Sequence, residues 1–597
     1  MNRLIKEKSA YLQHAAQQKI DWYPWSEEAF ERAKKEYKPV FLSSGAIWCH
    51  WCHVMAKESF EDEDVAVLLN EYFIAVKIDR DERPEIDRRY QRALSVMGTS
   101  GGWPLTIFLT ADKKPFFGGT YFPPVDGFGR PGFKSLLKAI GTMYQQKKEV
   151  VDENSQEILR NMKQDSLEPG NPDVSMLEYA TKNILSGFDP IHGGFGVAPK
   201  FSMPGAMEFL IGRYAFDQDS ALGNAIKITL RCMANGGIYD QLGGGFHRYS
   251  TDEAWIIPHF EKMADDNAWL LRNYIHAYGL FGDESFKEVS EGIVNFILNE
   301  LSHPDGGFYS SQDADITPDD EGGYFIWKDD DFKKILNDDE YRILSTYLLH
   351  ENGAMRHNPA KKVLYITEEI EEIARKTGMD VEKANKIINI GKIKLLIERE
   401  KREKPFVDKV LYTSINGMLI SAFFETYKIL KDEEIKEFAL KSLEKILDVN
   451  FINERLFHSE GIHALLDDYV NLVGAFIGAF EVTEDVKYLN MANEFMKACI
   501  DKFWDNENGG FFDTEEDVVS TRLKVVEDTP HPSVNSIGIM NLIKLSDMSQ
   551  NKEYLSYAEK ALKCFALTAQ QMGIHGGYYY CALDMFFRGT HAPETIC

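Results

Sequence analysis

Six glycine-rich breaks, each running into aromatic residues, punctuate the chain from its second quarter onward. "GGFGVAPKF" begins at Gly193, "GGGFHRYSTDEAW" at Gly243, "GGFYSSQDAD" at Gly306, "GGYFIW" at Gly322, "GGFFDT" at Gly509 and "GGYYY" at Gly576. Between them lie apolar stretches of helical period, among them "DDNAWLLRNYIHAYGLF", "FVDKVLYTSINGMLISAFFETYKIL", "LLDDYVNLVGAFIGAFEVT" and "VNSIGIMNLIKLSDM". Several breaks recur about every 50 to 65 residues, the length of a helix hairpin with its loops. Hairpins repeated in this way predict an all-α (α/α)6 toroid, with an open α-solenoid as the rival. The roughly 420 residues available suit twelve helices of three to four turns plus insertions. The stretch from "KKILNDDEYRILSTYLLH" to "IKLLIEREKREKP" is more charged and less regular, and reads as an insertion around 329–404.

The repeat does not reach the start of the chain. Near Gln164 the polar segment "KQDSLEPGNPDVS", with Pro169, Gly170 and Pro172, marks a boundary. The expected organisation is a first domain over 1–163, a linker over 164–175 and the toroid over 176–597. A net charge of −27 argues against nucleic acid and against an anionic membrane surface as partners. Neither a signal-peptide run nor a bilayer-spanning segment is visible. Seven cysteines in 597 residues are not a disulfide framework. A cytoplasmic location is expected.

Within the first domain, "AIWCHWCHVM" (46–55) offers three chemistries. Cys49-His50-Trp51-Cys52 is a C-x-x-C dithiol, His53 completes a c-type haem signature, and the cysteines and histidines together suggest a metal. Haem attachment takes place outside the cytoplasm. Structural zinc needs four converging ligands, which a helix beginning within the motif does not allow. The surroundings favour the dithiol. "KPVFLSSGAIW" is a β-prone run before it, and Val65, Leu68, Leu69 and Phe73 have helical spacing after it. A strand over Phe73–Asp79 and a hairpin of Thr106–Thr110 with Phe116–Tyr121 follow. This is the element order of an α/β thioredoxin-like fold, with Trp103-Pro104 where that fold holds a cis-proline facing the dithiol. An ordinary trans proline starting a strand is the alternative. At a helix N-terminus Cys49 becomes the attacking thiolate and Cys52 the resolving thiol. His50 and His53, when protonated, would stabilise that thiolate further. A fold kept as scaffold, its dithiol incidental or redox-sensing, is the other reading.

"DWYPWSEEAF", "KPVFLSSGAIWCHWCHVMAKESFED", "VKIDRDERPEIDRRY" and "GTSGGWPLTIFLTADKKPFFGGTYFPP" resemble the thioredoxin-domain proteins related to spermatogenesis-associated protein 20. The resemblance continues through "GGFGVAPKF", "GGIYDQLGGGFHRYSTDEAWIIPHFEKM", "GGFYSSQDAD" and "LLDDYV". It implies a thioredoxin-like domain with Cys49 and Cys52 as its dithiol, followed by an α/α-toroid. It implies no substrate. The toroid is similar to the N-acylglucosamine 2-epimerase and six-hairpin glycosidase folds, which bind sugars in a central funnel.

The residues suit such a use. One segment carries His247, Arg248, Tyr249, Asp252, Trp255, His259, Glu261 and Asp265, while Asp313, Asp315, Asp467, Asp468 and Asp528 head or precede helices. Aromatic faces stack on sugar rings, and carboxylates grip hydroxyls or act as acid and base. Against this, Ser250-x-x-Glu253 is a capping box, and Asp467, Asp468 and Asp528 are also the residues expected to cap helices. Asn416 and Asn535 stand in segments that depart from the family's wording, and so are weak candidates for ligand contact. Cys232, Cys499, Cys564, Cys581 and Cys597 have no C-x-x-C partner and read mostly as packing.

Three functions follow as expectations. The chain is a thiol-disulfide oxidoreductase module (Cys49, Cys52, Pro104) joined to a toroid with a carbohydrate-type pocket. Alternatively it is a sugar epimerase, isomerase or glycoside hydrolase with the thioredoxin fold as scaffold, or a non-catalytic redox-regulated binding protein. The ligand is a small molecule such as a sugar, or a thiol or disulfide substrate. No metal and no other cofactor is assigned.

Overall fold

The computed structural model describes residues 1–127, 131–163 and 167–589. The chain divides into two compact units. Unit 1 is Met1–Ser166 with Thr317–Asp319 and Thr514–Leu523; unit 2 is Leu167–Ile316, Asp320–Asp513 and Lys524–Cys597. Of the stretch expected to be a linker, Gln164–Ser166 lie outside the described residues, as does Cys597. The following residues pack along unit 2: Gly170 donates its N–H to the Lys563 carbonyl at 2.9 Å, and Leu567 donates to the Glu168 carbonyl at 3.1 Å.

Unit 1 has a thioredoxin-like fold. Its strands are Val40–Gly45 (β1), Ile74–Asp79 (β2), Leu105–Leu109 (β3) and Pro115–Gly119 (β4), in the order β2-β1-β3-β4. β1 runs parallel to β2 and antiparallel to β3, and β4 closes a hairpin with β3. β1 and β2 are buried along their whole length, which is why they read as apolar runs and not as alternating strands. Successive side chains of β1 serve opposite faces. Val40 and Leu42 join a core with Tyr23, Phe30 and Tyr90, while Phe41 meets Phe60, Phe108 and Phe133. Three helices matter for the chemistry: Ala10–His14 (α1), His50–Met55 (α2) and Pro84–Val96 (α3), the last opened by a proline whose fixed φ suits a first helical turn. Arg89 on α3 is fully buried and donates to Thr514 Oγ1 and to the carbonyls of Glu85, Val518 and Thr521, binding the late segment Thr514–Leu523 into this unit.

Unit 2 is an (α/α)6 toroid. Its helices are Ser175–Ser186 (α4), Pro204–Asp217 (α5), Ser220–Asn235 (α6), Ala264–Phe281 (α7), Glu284–Glu300 (α8), Thr413–Leu430 (α9), Glu433–Asn450 (α10), Leu466–Thr483 (α11), Val486–Phe503 (α12), Val534–Ser549 (α13), Lys552–Gln571 (α14) and Gly577–Arg588 (α15). Helices α5, α7, α9, α11, α13 and α15 each pack on the next, and α15 packs back on α5, closing the ring. The other six pack against the ring helices beside them, and α4 packs on both α5 and α15. Sequence pattern tells the two sets apart. The outer helix α8 buries one stripe, Phe286, Val289, Ile293, Val294 and Ile297, whereas the inner α7 is buried nearly all round. Between α8 and α9 the charged insertion forms four helices between Asp329 and Arg399, with a small core of its own around Phe332, Ile343, Leu348 and Leu395.

The glycine breaks turn out to be one device used repeatedly. In "DPIHGGF", "DQLGGGF" and "DNENGGF" the aspartate carbonyl accepts from a glycine N–H, and the aspartate N–H returns a bond to the next glycine. A lysine anchors each aspartate: Lys200 to Asp189 and Lys262 to Asp240 at 2.8 Å, Lys524 to Asp505 at 2.5 Å. At Gly244 (φ +71°) a Cβ would meet the Gly292 carbonyl at 2.3 Å, so only glycine fits. In two of these turns, and in the related turn before Phe308, the phenylalanine after the glycines is gripped by an inner-helix asparagine. Asn267, Asn416 and Asn535 each accept the N–H and donate to the carbonyl of Phe246, Phe308 and Phe511. Asn416 and Asn535 are therefore clamps that hold turns onto the ring.

Candidate functional site

Two groupings of polar side chains have the geometry of sites, one in each unit. In unit 1, Cys49 and Cys52 form a disulfide at the start of α2. Cys49 is the N-cap, and its Sγ accepts the Cys52 N–H at 3.2 Å. Both cysteines are buried, at 5% and 3% exposure, beneath Trp51, which is 43% exposed and packs against Tyr121. The His53 Nε2–H donates to the Ile47 carbonyl at 2.6 Å and so braces the strand-to-helix turn. The Trp103-Pro104 bond is cis. Trp103 meets Trp48, the residue before Cys49, edge-on at 5.9 Å, and lies under the Arg80 guanidinium. Asp87 on α3 fixes this wall, accepting from Trp103 Nε1 at 3.0 Å and from Ser44 Oγ at 2.6 Å.

Beneath the dithiol lies a pair of residues that sequence reading passed over. Tyr11 Oη and Cys52 Sγ would stand 2.4 and 2.6 Å from a Cβ at Gly45, so both face the side that glycine leaves bare. Lys77 on β2, almost fully buried, donates to Tyr11 Oη at 2.9 Å.

In unit 2 the residues predicted from sequence separate into groups. Arg248, Tyr249, His259, Glu261 and Asp265 gather near the start of α7. Tyr249 and His259 pair across a two-residue ladder with rings 4.8 Å apart, Tyr249 stacks on Phe201, and Glu261 lies 3.9 Å from Arg248. His259 Nδ1 meets Glu321 at 2.7 Å. Burial opposes charge on the His259 ring, but the Glu321 hydrogen bond and the Glu261 charge outweigh it and raise the pKa. Burial raises the Glu261 carboxyl, partly offset by His259 and Arg248. Asp265 lies 3.5 Å from His531, whose Nε2 also meets Asp266 at 2.6 Å. Glu321 and His531 come from distant segments and carry no local motif.

The remaining candidates bond mainly within the fold. His247 Nδ1 faces the Phe260 carbonyl at 2.8 Å, and burial with the Lys262 charge depresses its pKa to about 3. Asp252 accepts three backbone N–H groups of its own loop, from Ala254, Ile256 and Ile257. Trp255 is fully buried and donates to the His192 carbonyl. Asp468 accepts from the Ser414 and Leu465 N–H groups and from His458. Asp467 sits beside it in the first turn of α11. Asp313 accepts the Asp315 N–H, and Asp315 bridges to Glu321. Asp528 accepts from the Ser533 and Tyr578 N–H groups.

The bore of the ring holds the larger opportunity. A cavity there is lined by residues of all six inner helices. On its wall His276 of α7 stands between two carboxylates, Nδ1 to Glu208 at 2.6 Å and Nε2 to Glu425 at 3.4 Å. Arg272 reaches Glu425 at 2.9 Å, and Asn273 donates to Glu208 at 2.7 Å. Burial works against charge on His276, yet the Glu208 contact and the Glu425 charge outweigh it and raise its pKa. Burial likewise works against ionised Glu208 and Glu425, but His276 and Arg272 hold both carboxyls below their usual range. Trp269, buried edge-on to Tyr578 at 5.1 Å and beneath the Arg272 guanidinium, borders the cavity, and its Nε1 has no hydrogen-bond partner among the described residues. Cations, carboxylates and aromatic faces in one enclosure suit a small ligand rich in hydroxyl groups. The signal was present in the sequence: Trp269, Arg272 and His276 recur at one-turn spacing along one helix.

Among the described residues no helix is long and apolar enough to cross a membrane. Residues 1–163 match the family model described as "Protein of unknown function, DUF255", whose short name is Thioredox_DsbH. Spermatogenesis-associated protein 20 of Homo sapiens is 34% identical over 621 residues, covering 95% of this chain and 78% of the relative. An uncharacterized protein of Caenorhabditis elegans is 36% identical over 616 residues, covering 96% and 83%. Among solved structures, a GH76 alpha-mannanase of Bacteroides thetaiotaomicron aligns with a TM-score of 0.44 at 12% identity, over 70% of this chain and 97% of its own. A cellobiose 2-epimerase from Bacillus thermoamylovorans gives 0.42 at 10% identity, over 65% and 85%.

Proposed function

The chain belongs to the family of spermatogenesis-associated protein 20, and on that premise we propose that unit 1 is a thiol-disulfide oxidoreductase in which Cys49 attacks and Cys52 resolves. The observation that carries this reading is the N-cap position of Cys49, with the Cys52 N–H aimed at its sulfur. A helix N-terminus favours an anion through its unpaired N–H groups, and so lowers the pKa of a thiol placed there. The Cys49 thiolate attacks one sulfur of a substrate disulfide, whose other sulfur leaves with the electron pair. Cys52 then attacks Cys49, closing the internal disulfide and releasing the reduced substrate. Pro104 and Trp103 form the wall on which the substrate chain rests. A cytoplasmic setting fits the four unbridged thiols among the described residues, Cys232, Cys499, Cys564 and Cys581.

Equilibrating the 597-residue chain against a glutathione redox series tests this. The expected outcome is a Cys49–Cys52 couple in equilibrium with glutathione, a mixed disulfide trapped at Cys49 in Cys52→Ser, and none in Cys49→Ser. If Cys49 is alkylated no faster than free cysteine and forms no mixed disulfide, the assignment is wrong.

The bore cavity favours a second reading, in which unit 2 binds a polyhydroxylated ligand such as a sugar. His276 between Glu208 and Glu425 would exchange protons with ligand hydroxyls, Trp269 would stack on its ring, and Arg248, His259, Glu261 and Asp265 would serve at the start of α7. A panel of mono- and disaccharides should raise the melting temperature of wild type and not of Trp269→Ala. A panel without effect on wild type would remove this reading.

A further inference from the structure

Lys77 is a lysine where a lysine is costly. It is 2% exposed, on the middle of a fully buried strand, with its amine set over the rings of Tyr11, Trp22 and Phe60 at 4.2, 5.3 and 5.1 Å. Its hydrogen bond goes to Tyr11 Oη at 2.9 Å, not to a carboxylate. The nearby carboxylate, Asp79, is instead held by Ser9 Oγ at 2.6 Å. Tyr11 in turn sits on α1, with its hydroxyl facing Cys52 Sγ across the bare side of Gly45. The amine bonds the hydroxyl, and the hydroxyl and the resolving sulfur border the same bare side of Gly45.

We propose that Lys77 and Tyr11 form a proton relay that deprotonates Cys52 during the resolving step, an inference that rests on the oxidoreductase reading of the dithiol. As Cys52 attacks Cys49 of the mixed disulfide, the Cys52 thiol proton passes to Tyr11 Oη while the Tyr11 proton passes to the neutral Lys77 amine. The new bond joins the two cysteine sulfurs. The bond from Cys49 to the substrate sulfur breaks, and that sulfur leaves with the electron pair. Cys52 needs such help because burial in apolar surroundings holds a thiol in its protonated form. When a thiol reductant later opens the Cys49–Cys52 bond, the relay runs backward and Lys77 returns the proton to Cys52.

The electrostatics suit the role. Burial depresses the Lys77 amine to about 7, with the Asp79 charge as the opposing influence, so a neutral base is accessible near neutrality. Burial, with the charges of Asp79 and Asp87, keeps the Tyr11 hydroxyl protonated, as a relay requires of its middle member. Asp79, Asp87 and Cys52 are titratable groups beside this pair, and the Arg80 charge acts in turn on Asp87.

The test separates the two half-reactions in the 597-residue chain. Reduced protein is mixed with oxidised glutathione, quenched with acid over time, and the mixed disulfide at Cys49 is followed by mass. Tyr11→Phe, which keeps the ring, and Lys77→Met, which removes a buried amine, should form the mixed disulfide at the wild-type rate and resolve it about a hundredfold more slowly at pH 7, the lower end of the range usual for a lost proton-transfer group. The wild-type resolving rate should climb with pH up to about 7 and level off. In Lys77→Met the climb should move toward the ordinary thiol pKa of about 8.5. Circular dichroism confirms that each variant is folded. Unchanged resolution and an unchanged pH profile in folded Tyr11→Phe overturn the relay but leave the oxidoreductase reading standing. A wild-type protein that forms no mixed disulfide overturns both.

Discussion

The dithiol of unit 1 and the bore cavity of unit 2 reach an organised set of reactive groups by opposite routes. Cys49 and Cys52 are three residues apart, and one strand-to-helix turn orients both. Glu208, His276 and Glu425 stand on α5, α7 and α9, and meet only because the ring of inner helices brings them together. A site made by a single turn inherits its geometry from local hydrogen bonds. A site made by a ring inherits it from packing, so perturbing the ring should disturb the cavity and leave the dithiol alone.

The most severe challenge to this contrast is His276→Ala. It strands Glu208 and Glu425 as buried carboxylates facing no imidazolium, a loss of about 3–5 kcal/mol for a broken buried pair. We expect a large fall in the unit 2 unfolding transition by calorimetry, with the glutathione equilibrium of Cys49–Cys52 unmoved. A shifted redox equilibrium would break the contrast. Asn267→Ala should act less strongly. It frees the N–H and carbonyl of Phe246, each buried, and should lower unit 2 stability by about 1–3 kcal/mol in urea titrations. Equal losses at Asn416 and Asn535 would sharpen the picture of one clamp used three times.

The smallest effect is a pH dependence. His276 has a folded pKa above its ordinary value, so its stabilisation is complete below about 6.5 and is lost as pH rises through the folded value. The melting temperature of unit 2 should decline across that window in wild type. A flat profile in wild type, or the same decline in His276→Gln, would remove His276 from the account.

These differences also explain what the sequence disclosed. The thioredoxin-like fold was legible because its elements follow one another without interruption: a buried strand, the C-x-x-C, a helix, a second buried strand and a hairpin. The toroid was legible from its breaks, although "GGF" alone did not reveal that an aspartate, a lysine and an asparagine all belong to the turns before Phe246 and Phe511. The membership of Thr514–Leu523 in unit 1 was not legible, because nothing in "TEEDVVSTRL" announces that Arg89 binds it. The bore residues were missed for a related reason. A single glutamate such as Glu425 in an apolar helix has no neighbour in sequence to declare its purpose. Asp252 and Asp468 attracted attention as carboxylates, yet most of their bonds are to nearby backbone N–H groups, a role that short polar side chains fill often.

Closure of the ring carries a last consequence, for synthesis. Helix α5 finds one of its two flanking partners in α15, close to the other end of the chain. Until Gly577–Arg588 leaves the ribosome, the emerging protein is a horseshoe with two raw edges, on α5 and α13. A contact spanning so much sequence is also slow to form. Helix α15 acts as a keystone, and a nascent protein stalled just short of it would be a natural client for chaperones.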